Sequence, residues 1–346
     1  MFLGLSTAAI AALGSAGTWA QDGASQSINA TVAKLADLLE TGYVVPATGK
    51  RYAAMLRHKL AAGGYAALTD PAALGRQLTA DLLVVAPDRH LRVLADSVMR
   101  AAPGTPQSDA QPAPQAGPRI GRVPRRSVED AGWVAKDVAY IRFIGFDGEA
   151  EAVATTTEFM KTHAAAKTLI IDCRYNDGGG LVEMNLMLPY LYARETVLVQ
   201  MQVAESVAKS QGGAPFADEP FVRTIAKPPA GTVATEHYVV PNKTETRLFD
   251  AKVFYLTSNR TASAAEHLTL ALKRTKRATL IGETTNGANH FGGFERLGGG
   301  LAVFLPVGRT IDPDTGKDWE SDGIAPDVAV APALALEEAL RRAGVL

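Results

Sequence analysis

A serine lies where an apolar strand pattern, residues 253–257, runs through a short turn into a helical pattern. At such a junction Ser263 would stand on exposed backbone. The free N–H groups of the first helical turn would then be aimed where a tetrahedral oxyanion forms. Ser263 is therefore a candidate nucleophile. The alternative is structural, because Ser263 and Glu266 also have the spacing of a capping box, in which the hydroxyl only satisfies a helix N–H.

A second candidate segment is the apolar strand pattern at residues 169–172, which breaks into Gly178, Gly179 and Gly180. Glycines allow positive φ and let backbone N–H groups approach a ligand closely. Such a turn could supply oxyanion donors, each worth about 10²- to 10³-fold in rate. The alternative is a tight turn without a ligand. The spacing of a dinucleotide-binding glycine motif is absent from this segment.

A serine nucleophile needs a base of near-neutral pKa, and histidine is the usual choice. His90 lies in the motif Asp88-Arg89-His90-Leu91, and His290 follows a glycine turn. His267 lies one helical turn beyond Ser263, where packing or exposure is the expected role. The other three look like helix-surface or loop residues: His58, His163 and His237. Periodicity alone does not choose between His90 and His290.

Acidic residues cluster in a loop at 318–327, before the last strand pattern. A carboxylate there, such as Glu320, could orient the base and stabilise its protonated form. The alternative is a polar surface turn. Histidines and carboxylates show no ligand-like spacing along the chain, so no metal or other cofactor is expected.

The elements that would position these residues form two regions. Three amphipathic helix patterns, the third opened by Asp70 as N-cap before Pro71, predict an N-terminal helical domain over residues 21–100. Residues 101–126 form a linker whose first part is rich in Ala, Pro, Gln and Gly. From 127 to 346 strand and helix patterns alternate, which predicts an α/β core. Within it, residues 212–246 are polar and are expected to form a covering loop or hairpin.

Composition limits the function classes. The chain has 346 residues, 47% of them hydrophobic and 21% charged, with a formal net charge of -1. This is typical of a globular protein with no bulk attraction for nucleic acid or an anionic membrane. The one cysteine, Cys173, rules out an intramolecular disulfide. The oligomeric state is not predicted.

Residues 1–20 are uncharged, apolar and small, and resemble a signal peptide cleaved after Ala20. This predicts a periplasmic or secreted protein. The segment lacks the usual Lys or Arg at its start, so an uncleaved anchor or a misassigned start are the alternatives. No other segment approaches the length of a membrane span.

Taken together, five segments resemble the tail-specific (C-terminal-processing) serine protease family, in the branch with the tricorn protease core and interphotoreceptor retinoid-binding protein modules. They occur in the family's order at residues 88–91, 171–179, 261–266, 277–284 and 319–327. The resemblance implies a crotonase-like ββα core at 127–346 preceded by a small N-terminal helical domain. Only residues 101–130 separate the two parts, too few for the PDZ domain of the bacterial processing proteases.

The resemblance also implies roles for individual residues. Ser263 matches the nucleophile, His90 the general base and Glu320 its supporting carboxylate. The backbone N–H groups of Gly178 and Ala264 match the oxyanion hole.

Two further residues, Gly179 and His290, are expected to line the site. Ala288 stands after Gly287, where the bacterial enzymes carry a catalytic lysine, so a histidine base is favoured.

The implied function is a serine endopeptidase that cleaves polypeptides through an acyl-enzyme. The alternative is a non-catalytic module that binds a lipid or another apolar ligand, as the retinoid-binding relatives suggest. A crotonase-like acyl-CoA enzyme is a weaker possibility, because no nucleotide site is indicated.

Overall fold

The computed structural model describes residues 28–96 and 127–346. The predicted signal peptide and the whole predicted linker, residues 101–126, lie outside these residues. The helices in chain order are α1 (Ile28–Gly42), α2 (Pro46–Ala61), α3 (Pro71–Val85), α4 (Ala150–Thr162), α5 (Val182–Met187), α6 (Glu205–Gln211), α7 (Ala264–Arg274) and α8 (Ala335–Ala343). Single 3₁₀ turns are formed by Leu188–Tyr190, Arg247–Asp250 and Pro332–Leu334. Among the described helices, none combines the length and apolar character needed to cross a bilayer.

The strands in chain order are β1 (Arg92–Ala95), β2 (Val128–Ala135), β3 (Val138–Phe143), β4 (Thr168–Asp172), β5 (Thr196–Ala204), β6 (Val222–Thr224), β7 (Thr232–Val239), β8 (Lys252–Thr257), β9 (Thr279–Gly282), β10 (Phe291–Gly298), β11 (Leu301–Ile311) and β12 (Val328–Ala329). They form two sheets. The α/β prediction is confirmed.

The first sheet is mostly parallel and has the order β12-β9-β8-β4-β3-β2, with β2 antiparallel to β3 at its edge. Its central strands are continuous apolar runs because both of their faces are covered. On one face Ile171 and Tyr255 pack in the main core with α4, α5 and α7. On the other face Ile170 and Phe254 pack against α8. Because β4 and β8 are paired in parallel, their carboxyl ends lie side by side.

The second sheet is antiparallel in the order β1-β11-β5-β7-β6, and β10 also pairs with β11. Within it, β6 and β7 form the hairpin expected in residues 212–246. The prediction of a helical domain up to residue 100 is wrong at its end, because β1 pairs with β11. The three N-terminal helices are confirmed, and their apolar faces share one cluster with this sheet.

Candidate active site

Ser263 precedes α7 with an unusual backbone, φ 54° and ψ −120°. An ordinary helix N-cap lies in the extended region. A side-chain-bearing residue held outside the favoured regions costs about 1–3 kcal/mol and persists only where its surroundings enforce it. Nucleophile elbows use such strain to expose a serine hydroxyl at a strand-to-helix turn. Ser263 thus forms the capping box with Glu266 that its spacing predicts, but on a backbone that an ordinary cap does not adopt.

Glu266 ties the Ser263 turn to the segment that precedes His290. Its carboxylate is fully buried and accepts four hydrogen bonds. The donors are the Ser263 N–H at 2.9 Å, the Thr285 hydroxyl at 2.6 Å, the Gly287 N–H at 2.7 Å and the Ala288 N–H at 2.8 Å. The capping-box carboxylate predicted from sequence therefore also holds a second loop in place.

The turns that follow β4 and β8 are bonded to each other. The Asn176 carbonyl accepts the Ala262 N–H at 3.0 Å. The Thr261 hydroxyl donates to the Cys173 carbonyl at 2.8 Å. Because the two parallel strands are neighbours, these bonds fix the glycine turn against the residue before Ser263.

Gly178 and Gly179 occupy places where only glycine fits. Gly178 has φ 106°, and a Cβ there would lie 2.7 Å from the Ser263 Cβ and 3.1 Å from the Ala264 nitrogen. Gly179 has φ 133°, and its Cβ would lie 2.2 Å from the Phe146 carbonyl oxygen. The glycine turn therefore contacts the candidate nucleophile directly.

The two predicted oxyanion donors differ in this structure. Ala264 is the first residue of α7, where N–H groups have no intrahelical acceptor. The Gly178 N–H instead donates to the Asn176 side-chain oxygen at 2.9 Å. Gly178 could serve an oxyanion only by leaving that oxygen, so this pair of donors stays a prediction.

A carboxylate–imidazole cluster, defined here as Asp88, His290 and Glu320, lies beside this region. His290 Nδ1 is 2.8 Å from Asp88 Oδ2 and 3.7 Å from Glu320 Oε2. Tyr43 also donates its hydroxyl to Asp88 Oδ2 at 2.7 Å. The three members are far apart in the sequence, so their spacing could not reveal the cluster. The sequence did not predict the contact of His290 with Asp88 or that of Tyr43 with Asp88.

The ligand atoms of this cluster lie within 4.8 Å of one another, a grouping that can hold a cation. However, each carboxylate oxygen already accepts hydrogen bonds from the protein. Asp88 Oδ1 accepts the backbone N–H groups of His90 and Leu91. Glu320 Oε1 accepts the backbone N–H of Arg89. Glu320 Oε2 accepts the backbone N–H groups of Asn289 and His290. The pattern is that of an internally satisfied network.

The charges in the cluster favour an ion pair. Burial alone would lower the pKa of His290, but the hydrogen bond and charge of Asp88, with the charge of Glu320, raise it above the usual value. Burial alone would raise the pKa of Asp88, but the hydrogen bond and charge of His290 hold it below the usual value. For Glu320 burial prevails and raises the pKa.

His90 has different surroundings. Its ring stacks on Phe304 with 5.5 Å between centroids. Within residues 28–96 and 127–346, its buried Nδ1 atom has no hydrogen-bond partner. Burial lowers the pKa of His90 to about 4. Its backbone N–H, rather than its ring, contacts Asp88, and its role as base stays a prediction.

Two other histidines, His237 and His267, form a buried pair. His237 was predicted to be a solvated loop residue, which is wrong: it lies on β7 and is fully buried. Its Nδ1 is 2.8 Å from His267 Nε2, and its Nε2 is 2.8 Å from Asn185 Oδ1. Burial lowers the pKa values of both histidines, that of His267 to about 4.

Two family models match the sequence. The model described as peptidase family S41 matches residues 137–330, more than half of the chain. The model described as the N-terminal domain of Peptidase_S41 in eukaryotic IRBP matches residues 24–121.

Solved structures share the fold. The photosystem II D1 C-terminal processing protease aligns with a TM-score of 0.56 and 18% identity, covering 91% of this chain and 97% of its own. A lipoprotein from Streptococcus agalactiae aligns with a TM-score of 0.54 and 14% identity, covering 92% of this chain and 96% of its own. At these identities the likeness establishes the fold and no more.

Proposed function

We propose that this chain, a serine peptidase that belongs to peptidase family S41, is an endopeptidase acting through an acyl-enzyme on Ser263. The observation that carries the proposal is the strained Ser263 backbone at the start of α7, in contact with the glycine turn after β4. A helix cap alone does not require this backbone. A strained strand-to-helix turn is the setting in which a serine acts as a nucleophile.

The proposed reaction follows from these positions. A histidine base takes the Ser263 proton as the hydroxyl attacks the peptide carbonyl, and it then protonates the departing amine. A base of this kind contributes about 10²- to 10⁴-fold in rate. The Ala264 N–H would stabilise the oxyanion. Resemblance assigns the base to His90 and the supporting carboxylate to Glu320.

The test is cleavage of denatured casein, with the products sequenced by mass spectrometry. We expect internal cuts by the wild type and none by Ser263→Ala. Ser210→Ala is the matched control, because Ser210 is exposed on α6 and hydrogen-bonds only within that helix. Equal cleavage by wild type and Ser263→Ala would refute the proposal, as would release of terminal residues alone.

The second candidate function is a module that binds an apolar ligand, and the match to an N-terminal domain named for IRBP favours it. It predicts a folded protein with no Ser263-dependent cleavage that binds retinol or a fatty acid. Fluorescence titration with both ligands separates this outcome from the endopeptidase.

We further propose that the protein is exported, on the basis of the uncharged apolar segment at residues 1–20. The mass of the protein recovered from an extracytoplasmic fraction tests this. A chain beginning at Gln21 is expected, and a cytoplasmic chain that retains residues 1–20 would contradict it.

A further inference from the structure

Two imidazoles contact the same carboxylate, Asp88, but in different ways. His290 contacts it through its ring, and His90 through its backbone N–H. A general base takes a proton on one ring nitrogen while the other nitrogen donates to an acceptor that fixes the tautomer. The hydrogen-bond partner of Nδ1 therefore shows which imidazole is prepared for this role.

We infer that His290, oriented by Asp88, is the general base for Ser263 in place of His90; the inference rests on the proposed acyl-enzyme function. When the ring is neutral and Asp88 is ionised, His290 Nδ1 must donate to Asp88, which leaves the Nε2 lone pair to accept the serine proton. His90 Nδ1 is buried without a partner. If His90 became an imidazolium, that buried N–H would have no acceptor, which disfavours the charged ring.

The segment that carries His290 is anchored to the Ser263 turn. The N–H groups of Ser263 and Ala288 donate to the same oxygen of Glu266. Ala288 precedes His290 by two residues, a span of at most about 7 Å between Cα atoms. The Ser263 turn and the segment that leads to His290 are thus held by one buried carboxylate.

Asn289, which lies between Ala288 and His290, is also held by hydrogen bonds. The Asn289 side chain donates to the Thr310 carbonyl at 2.7 Å and accepts the Thr310 N–H at 3.1 Å. Its backbone N–H donates to Glu320 at 2.7 Å. A base held in this way stays within the narrow geometry that proton transfer needs. Glu320 then acts as a positioning residue for the His290 backbone.

The motif at residues 88–91 acquires a different meaning. The N–H groups of His90 and Leu91 donate to Asp88 Oδ1, and this turns Oδ2 toward His290. The motif supplies the carboxylate. The His90 ring, stacked on Phe304, supports the turn without taking a proton.

Each proton that moves in the proposed reaction has a donor and an acceptor. As the Ser263 Oγ–carbon bond forms, the Oγ proton moves to His290 Nε2 and the carbonyl electron pair moves to oxygen. When the C–N bond breaks, Nε2 returns the proton to the amine. Water then enters, gives a proton to Nε2 and releases the acid by the same steps.

The test is the second-order rate of fluorophosphonate labelling, which requires an activated serine but no known substrate. We expect His290→Gln to lose about 10²- to 10⁴-fold and His90→Gln to stay within about tenfold of the wild type. The labelling rate of Asp88→Asn should be lowered about as much as that of His290→Gln, since an amide nitrogen facing His290 would favour the wrong tautomer of the ring. His58→Gln, on the exposed face of α2, is the matched control.

The pH dependence of wild-type labelling is a second test, and it does not depend on whether any variant folds. The groups facing His290 are Asp88, Glu320, Asp318, His90 and Tyr43. Their balance raises the pKa of His290, and only the neutral ring is a base. Labelling should therefore be about tenfold or more slower at about pH 5.5 than at about pH 8. A His90 base, with a pKa of about 4, would give nearly equal rates.

The outcomes are distinct. Equal wild-type rates at the two pH values would overturn the inference, as would a loss beyond about 100-fold in a folded His90→Gln protein. His290→Gln labelled within about tenfold of the wild type would also overturn it. A folded wild type that is never labelled would refute the acyl-enzyme function itself, and the inference with it. If His290→Gln does not fold, the wild-type pH profile decides.

Discussion

Replacing Gly178 by alanine tests whether the glycine turn sets the position of Ser263. The new Cβ would lie 2.7 Å from the Ser263 Cβ, whereas ordinary contacts begin at 3.4 Å. One of the two carbons must therefore move by roughly 0.7 Å, and a displacement of about 1 Å can cost about 10²-fold in rate. We expect Gly178→Ala to label with a fluorophosphonate about 10- to 100-fold more slowly than the wild type.

Gly212→Ala is the matched control because its φ is also positive, 85° against 106°, but no atom lies within 4 Å of its Cβ. Gly212→Ala should lose about 1–2 kcal/mol in free energy of unfolding from backbone strain, and Gly178→Ala should lose more because its Cβ also clashes with Ser263. Only Gly178→Ala should lose labelling. A folded Gly178→Ala protein that labels within about threefold of the wild type would refute the reasoning that the turn positions the nucleophile.

Three further predictions concern the surrounding network. Glu266→Gln should lower the free energy of unfolding by about 1–3 kcal/mol, because an amide cannot accept all four hydrogen bonds. Urea unfolding measures this, with the exposed Glu205→Gln as the control. An equal effect in both variants would contradict the prediction. Chelation with EDTA should leave labelling unchanged, since the carboxylate–imidazole cluster is satisfied internally, and recovery only on adding a divalent metal would contradict it. The His237–His267 pair is neutral in the folded state and binds protons on unfolding, so stability should fall by about 1 kcal/mol or more per pH unit from about pH 6.5 toward the folded pKa values. Urea midpoints measure this slope, and a His267→Gln protein with the same slope as the wild type would contradict it.

The helices and parallel strands could be predicted from the sequence because each is specified locally. Asp70 caps α3 by accepting the Ala73 N–H, as its place before Pro71 indicates. β4 and β8 are unbroken apolar runs because both faces of the parallel sheet are buried. β10 was not predicted, since its glycines break the strand pattern, and β1 is too short to stand out beside three helices.

The candidate site was predictable only in part, for a physical reason. The serine and glycine turns are local features of a strand's end, and they appear in the sequence as such. The partners of His290 come from residues 88 and 320, which only the folded chain brings together. The polar residues around β7 predict a loop, so the sequence does not reveal the burial of His237, which lies on a strand inside the second sheet.

Locating a fluorophosphonate adduct by peptide mass spectrometry tests the central claim most directly. The account predicts one adduct on the folded wild-type protein, on Ser263, and none on Ser263→Ala. An adduct on another serine, or equal labelling of both proteins, would contradict the assignment of Ser263 as the nucleophile.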